Sequence, residues 1–296
     1  MTELVTRLYF GHHKCATQYI KRVMVQCARL MGWSTKVDSM PFTLPMDYHR
    51  QAPFRTCLEQ KRAMLATGSF DLICLENADN EALAILDAHR TYRGFHVIRD
   101  PRDIVVSGFF SHRYSHPVNA EHWPWLWAHR QRLASLADLE EGLLAEIEYC
   151  TTYFARLQAW DYRQPHILEI RFEDLISNPA QMFKRIFNFL QIPITPLSLP
   201  AAIVIASEFC LQQPLGRPIR KRFSLPGPLL HIVLRRNAFQ RKSGGRRAGV
   251  EDLTHHYRKG VTGDWQQYFS PRVKAAFKFH FPGLPAHLGY EEDDHW

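Results

Sequence analysis

Paired cysteines are missing from this 296-residue chain. Its six cysteines, at positions 15, 27, 57, 74, 150 and 210, stand far apart with no Cys-x-x-Cys pair. That argues against a secreted disulfide scaffold and against a zinc ribbon. Long apolar runs are missing as well: no stretch nears the roughly 20 residues that cross a bilayer. Nothing at the start reads as a signal peptide, because Arg7 interrupts a short apolar run that already reads as a strand. The expectation is a soluble, cytoplasmic chain with no membrane partner. Internal repeats and linker-like stretches are also lacking, so one domain over residues 1–296 is expected. No Glu follows His112 in a His-Glu-x-x-His pattern, although His112 and His116 lie four apart.

What is present is ordinary for a globular protein: 46% hydrophobic and 22% charged residues, on a chain long enough to bury a substantial core. The net charge of +8 favours an anionic ligand or surface. Much of the excess lies between Arg217 and Arg247, so nucleic-acid binding does not follow automatically.

The stretch from His96 to Ser107 organises the reading. Phe95 to Ile98 is apolar and β-branched and reads as a buried strand. Asp100-Pro101 ends it, since proline lacks the amide hydrogen a ladder needs. Arg102 to Ser107 then reads as a helix with Pro101 and Asp103 in its first turn. Arg99 at a strand end and Ser107 on the following helix suit a phosphate, because a guanidinium fork meets phosphate oxygens bidentately. The competing reading is a surface Arg–Asp pair on an ordinary turn.

Earlier, Val5 to Phe10 reads as a strand and Tyr19 to Met31 as a helix, with Ile20, Val23, Met24, Cys27 and Leu30 at helical spacing. The loop between them, Gly11 to Gln18, would present backbone amides and a helix N-terminus to an anion. It is not a Walker A loop, because Gly-Lys-[Ser/Thr] is absent. A plain strand–helix connection is the alternative. Met40 to Phe54, with three prolines, reads as an irregular excursion that could line a pocket. Phe70 to Leu75 reads as a strand ending at Glu76, Glu81 to His89 as a helix, and Leu139 to Trp160 as one amphipathic helix. His166 to Arg171 reads as a strand, Gln181 to Leu190 and Pro271 to Phe281 as helices. Pro193 to Pro228 loses its pattern, and Arg235 to Gly249 reads as a mobile loop. Alternating strands and helices predict an α/β fold, a central parallel β-sheet flanked by helices. Ligands of such sheets gather at the strands' carboxyl ends, where Lys14, Glu76 and Arg99 fall.

Several motifs then resemble, in order, the sulfotransferases that use 3′-phosphoadenosine 5′-phosphosulfate (PAPS). Gly11-His12-His13-Lys14-Cys15-Ala16-Thr17-Gln18 is similar to their 5′-phosphosulfate loop. Arg99-Asp100-Pro101-Arg102-Asp103 through Ser107 resembles their 3′-phosphate motif. Arg171-Phe172-Glu173-Asp174-Leu175, then Tyr257-Arg258-Lys259-Gly260 with Gly263-Asp264-Trp265, resemble two further signatures. Even Leu288-Gly289-Tyr290-Glu291 is similar to the ending of bacterial members.

The resemblance implies a P-loop-like nucleotide-binding fold. It implies that Lys14 contacts the phosphosulfate and its bridging oxygen, cradled by Cys15, Ala16, Thr17 and Gln18. Arg99, Ser107, Arg258, Lys259 and Gly260 would hold the 3′-phosphate, and Tyr19, Phe172 and Phe239 are candidates for packing near adenine; core packing is the alternative for these aromatics. Three departures matter: Ala16 where glycine is usual, Gln18 for a threonine, and Phe172 for a tyrosine. Ala16 is expected either to do without positive φ or to approach the phosphate less closely.

The implied function is transfer of a sulfuryl group from PAPS to a hydroxyl or amine of a small-molecule acceptor, releasing 3′-phosphoadenosine 5′-phosphate (PAP), without a metal. Many members place a basic histidine at a strand end where this chain has Glu76, which becomes the expected base. His12, His13, His112 and His116 come next. Trp123, Trp125 and Trp127 would shape an acceptor pocket or pack the core. Three alternatives remain: a non-catalytic PAP-binding protein, a nucleotide kinase, and a basic nucleic-acid-binding protein. Monomer and homodimer both stay open.

Overall fold

Four largely apolar runs and one polar stretch become five strands, β1 (Thr6–Phe10), the polar β2 (Thr35–Asp38), β3 (Leu72–Leu75), β4 (Tyr92–Ile98) and β5 (Ile167–Arg171). They form one wholly parallel sheet in the order β2-β3-β1-β4-β5. The computed structural model describes residues 5–44, 48–196, 199–212 and 219–296. From central β1 the chain runs to one side for β2 and β3, then to the other for β4 and β5. The carboxyl end of β1 is therefore a topological switch point, where such sheets take ligands.

The helices that concern us are α1 (Thr17–Leu30), α2 (Ala52–Thr67), α3 (Asn80–His89), α4 (Pro101–Phe110), α5 (Pro124–Ser135), α6 (Leu139–Tyr149), α7 (Thr151–Ala159), α8 (Phe172–Ser177) and α9 (Pro179–Phe189). The described residues fall into two compact units. The first, drawn from Met1–Phe42, Tyr48–Ile98 and Asp161–Ala238, holds the sheet with α1 to α3, α8 and α9. Its core is the wholly buried strand residues Leu8, Tyr9, Phe10, Ile73, Cys74, Phe95 and Val97, with the α1 face of Ile20, Val23, Met24 and Cys27. The second, drawn from Thr43–Asp47, Arg99–Trp160 and Phe239–Trp296, is helical. Its core contains Ile104, Val105, Leu143, Ile147, Phe154 and Phe277.

The expected mixed fold is present, and the parallel sheet with its flanking helices is the expected one. Some elements differ. Leu139 to Trp160 is two helices, broken at Cys150, where the Thr151 hydroxyl bonds back to the Glu148 carbonyl at 2.8 Å. The excursion at 40–54 gives way to helix at Ala52, with Pro53 in its first turn; residues 45–47 lie outside the described ones. The 193–228 stretch contains a helix at Leu199–Gln212, and 213–218 lie outside the described residues. Arg235 lies in the last turn of a helix, Gly227–Asn237, rather than opening a loop. A π-helical turn at Ser111–Ser115 follows α4.

Candidate functional site

In the first unit, Gly11 leaves β1 with its amide bonded to the Leu75 carbonyl and its carbonyl accepting from Ala78. A Cβ at Gly11 would stand 2.7 Å from the Tyr9 hydroxyl, so the side chain must be absent. The loop then folds on the His12 carbonyl, which accepts from the Cys15 amide at 3.2 Å and the Thr17 hydroxyl at 2.7 Å. Lys14 and Ala16 both take positive φ, +63° and +57°. Ala16 therefore does adopt the left-handed conformation that glycine would take freely, which corrects the first of the two sequence alternatives. That costs a residue with a Cβ about 1–2 kcal/mol. The Ala16 carbonyl then accepts from the Tyr19 and Ile20 amides, and α1 begins.

Glu76 follows β3 and is buried. Its Oε1 lies 2.6 Å from Lys21 Nζ and 3.0 Å from Gln18 Nε2, which donates to it. Gln18, the long amide in place of a threonine, thus ties the loop to the strand-end carboxylate. Tyr19 packs edge-on against Phe183 of α9, centroids 5.9 Å apart. Phe172 is buried in the first turn of α8.

Two residues that sequence reasoning passed over also lie here. His96 of β4 and Glu169 of β5 are register partners, with His96 Nδ1 2.6 Å from Glu169 Oε2. His96 Nε2 in turn is 2.6 Å from His12 Nε2. The signal was a titratable residue flanked by apolar neighbours within a buried strand, Phe95-His96-Val97.

The second unit assembles the other expected residues. Arg99 directly follows β4 in sequence, and its Nη2 lies 3.5 Å from both Asp103 Oδ2 and the Val261 carbonyl. Asp103, wholly buried, accepts from the Gly263 amide at 2.8 Å and the Trp265 amide at 3.0 Å. It thereby pins the 261–265 turn to α4. Asp264 gathers two cations: Arg258 donates to Oδ2, and Lys259 Nζ lies 2.5 Å from Oδ1. Burial opposes the charge on both, but Asp264 together with Glu251 outweighs it and raises the pKa of each. Arg258 also lies over the Phe110 ring at 4.4 Å. Gly260 has φ +68°, and a Cβ there would stand 2.6 Å from the Phe239 ring, so these two expected residues are in contact. Ser107 sits on α4, half-buried. Arg102 of the same motif is buried between Trp265 and Trp296 and bonded to Asp100 and Glu291, a structural role. Trp125 packs in the core, while Trp127 is exposed.

These loops offer amides, guanidinium and ammonium groups, the equipment of a phosphate-binding α/β protein. The sulfotransferase domain family matches residues 91–284, more than half of the chain, and the chain belongs to that family. Among solved structures, the mouse sulfotransferase SULT7A1 complexed with PAP is similar at 17% identity and a TM-score of 0.56. The match covers 96% of this chain and 85% of that one. Retinol dehydratase, solved with retinol and PAP, matches at 14% identity and a TM-score of 0.47, covering 96% of this chain and 82% of the other. At such identities the first likeness bears on the fold. No curated protein matches the chain by sequence.

Proposed function

We propose that this sulfotransferase moves the sulfuryl group of PAPS to a hydroxyl or amine of a small-molecule acceptor and releases PAP. The observation that carries this is the 11–18 loop: two left-handed residues bracket Cys15 at the carboxyl end of β1, just before α1. Such a turn exposes successive amides to an anion at a helix start. PAP in the mouse sulfotransferase supports the same product here. The reading takes residues 1–296 as one catalytic domain acting in the cytoplasm, with no metal, membrane or nucleic acid as partner.

In this reading Lys14 neutralises charge building on the bridging oxygen as PAP departs, and Cys15 to Gln18 cradle the phosphosulfate. Arg99, Ser107, Arg258, Lys259 and Gly260 hold the 3′-phosphate, with Tyr19, Phe172 and Phe239 near the adenine. Asp264 fixes Arg258 and Lys259 in advance, so less side-chain entropy is lost on binding. Glu76 stands where a base is expected, but it must give up Lys21 or use its other oxygen to accept a proton. Calorimetric titration with PAP tests the reading. Wild type should bind, and Arg99→Ala and Lys14→Ala should each weaken binding tenfold or more. A folded wild type that binds no PAP would refute it.

A further inference from the structure

Arg102 stands in the first turn of α4, almost wholly buried. Its Nε and Nη2 donate to the two Asp100 oxygens at 2.9 and 2.8 Å, and its Nη1 donates to Glu291 Oε1 at 2.6 Å. All three guanidinium nitrogens are thus held by carboxylates. Two indoles, set at 83° to each other, cover the group: the Trp265 centroid is 3.8 Å away and the Trp296 centroid 4.5 Å. Burial works against the Arg102 charge, and Asp100 with Glu291 more than offsets it.

Glu291 and Trp296 belong to a segment with its own anchorage on the helix Pro271–His280. Lys278 Nζ donates to the carbonyls of Asp294 and Trp296 at 2.6 and 3.0 Å and lies 4.7 Å from the Trp296 ring centroid. The Trp296 ring also meets Phe277, centroids 5.8 Å apart, and its Nε1 donates to Asp294 Oδ1 at 3.2 Å. Residues 291–296 therefore form a strap between that helix and Arg102.

Trp265 carries the strap's hold onward. Its amide and that of Gly263 donate to Asp103, which also faces Arg99. Between those two amides in sequence stands Asp264, which gathers Arg258 and Lys259. The helical turn Trp265–Tyr268 is a single turn, too short to keep its shape without tertiary support. Arg102 supplies that support on the Trp265 ring, and the strap holds Arg102 in place.

We propose that Glu291 and Trp296 are positioning residues for the nucleotide site. By clamping Arg102 onto Trp265 they fix the 263–265 turn, and with it the geometry of Arg99, Arg258 and Lys259. This rests on the reading that those three cations hold the 3′-phosphate. The strap then governs how strongly the protein prefers a nucleotide with a 3′-phosphate over one without it. Charge-assisted forks need their donors placed to within about 0.5 Å, so a small shift of the turn costs affinity.

The test compares PAP with adenosine 5′-monophosphate, which differs from it by the 3′-phosphate alone. Both are titrated calorimetrically into wild type and variants, and Tm is measured on each protein. Trp296→Ala and Glu291→Ala should each weaken PAP about tenfold, the scale of one charged hydrogen bond, and leave adenosine 5′-monophosphate within about twofold. Trp296→Phe keeps a ring beside the guanidinium and should hold PAP affinity within about threefold of wild type. Glu291→Gln keeps the side chain's shape without its charge and should lower the PAP preference several-fold; it reads the same ratio should Trp296→Ala not fold. A strap that only stabilises the fold would lower Tm and change both nucleotides alike or neither. An unchanged affinity ratio in the folded strap variants overturns the proposal, whatever happens to Tm. A wild type that binds the two nucleotides equally well overturns the 3′-phosphate reading itself, and the strap's role with it.

Discussion

Replacing Glu146 with glutamine should be the most damaging single conservative change in the helical unit. Glu146 is wholly buried on α6 and accepts from His112 Nδ1 at 3.0 Å and His129 Nε2 at 2.7 Å. His112 lies in the π-helical turn and His129 on α5, so one carboxylate joins three elements. Burial alone would raise its pKa, but the two histidines overcome that and hold it at about 2, against 4.5 for an ordinary glutamate. A difference of that size corresponds to about 3 kcal/mol, in line with the ~3–5 kcal/mol lost when one member of a buried charged cluster is removed. At about 2–4 °C per kcal/mol, Tm should fall by about 10 °C. The sign with pH follows from a depressed carboxyl: its stabilisation is complete above pH 4.5 and is lost as pH falls through about 2. Urea unfolding of wild type and Glu146→Gln across that window measures both quantities. Equal stability at neutral pH, or parallel acid losses, would refute the reasoning.

Ala16→Gly should stabilise the protein by about 0.5–1 kcal/mol, the relief of left-handed strain less the extra freedom of the unfolded chain; a lower Tm would contradict the strain seen at φ +57°. Gly260→Ala should push the Phe239 ring aside and weaken PAP binding at least tenfold by calorimetry, whereas unchanged affinity would remove both residues from the nucleotide site. Asp264→Asn should loosen Arg258 and Lys259 together and reduce PAP affinity several-fold, and the double variant with Lys259→Ala should lose less than the sum of the two single losses.

The loop, its strand and helix, the Arg99 turn and the 258–260 segment were legible because each is a local pattern of few residues. Pro101 beginning α4 behind a capping Asp100, and the α1 stripe, are the clearest cases. The break at Cys150 was not legible, since apolar spacing continues across it and only the Thr151 hydroxyl ends the first helix. The π-helical turn escaped for a similar reason: nothing in local spacing announces one extra residue per turn. The His12–His96–Glu169 line depends on strand order. His96 meets Glu169 only because β4 and β5 are neighbours in that register, and the two are 73 residues apart in sequence. Likewise Glu76 read as a strand-end base, but its engagement with Lys21 and Gln18 is a tertiary fact.

The central claim is sulfuryl transfer from PAPS, and its most direct measurement follows isotopic sulfur from PAPS into a panel of phenols, alcohols and amines. Wild type should place label on at least one acceptor class, with Lys14→Ala slowed about 100-fold or more. Tight PAP binding with no label passed to any acceptor or to water would contradict the claim and leave a nucleotide-binding protein without transfer activity.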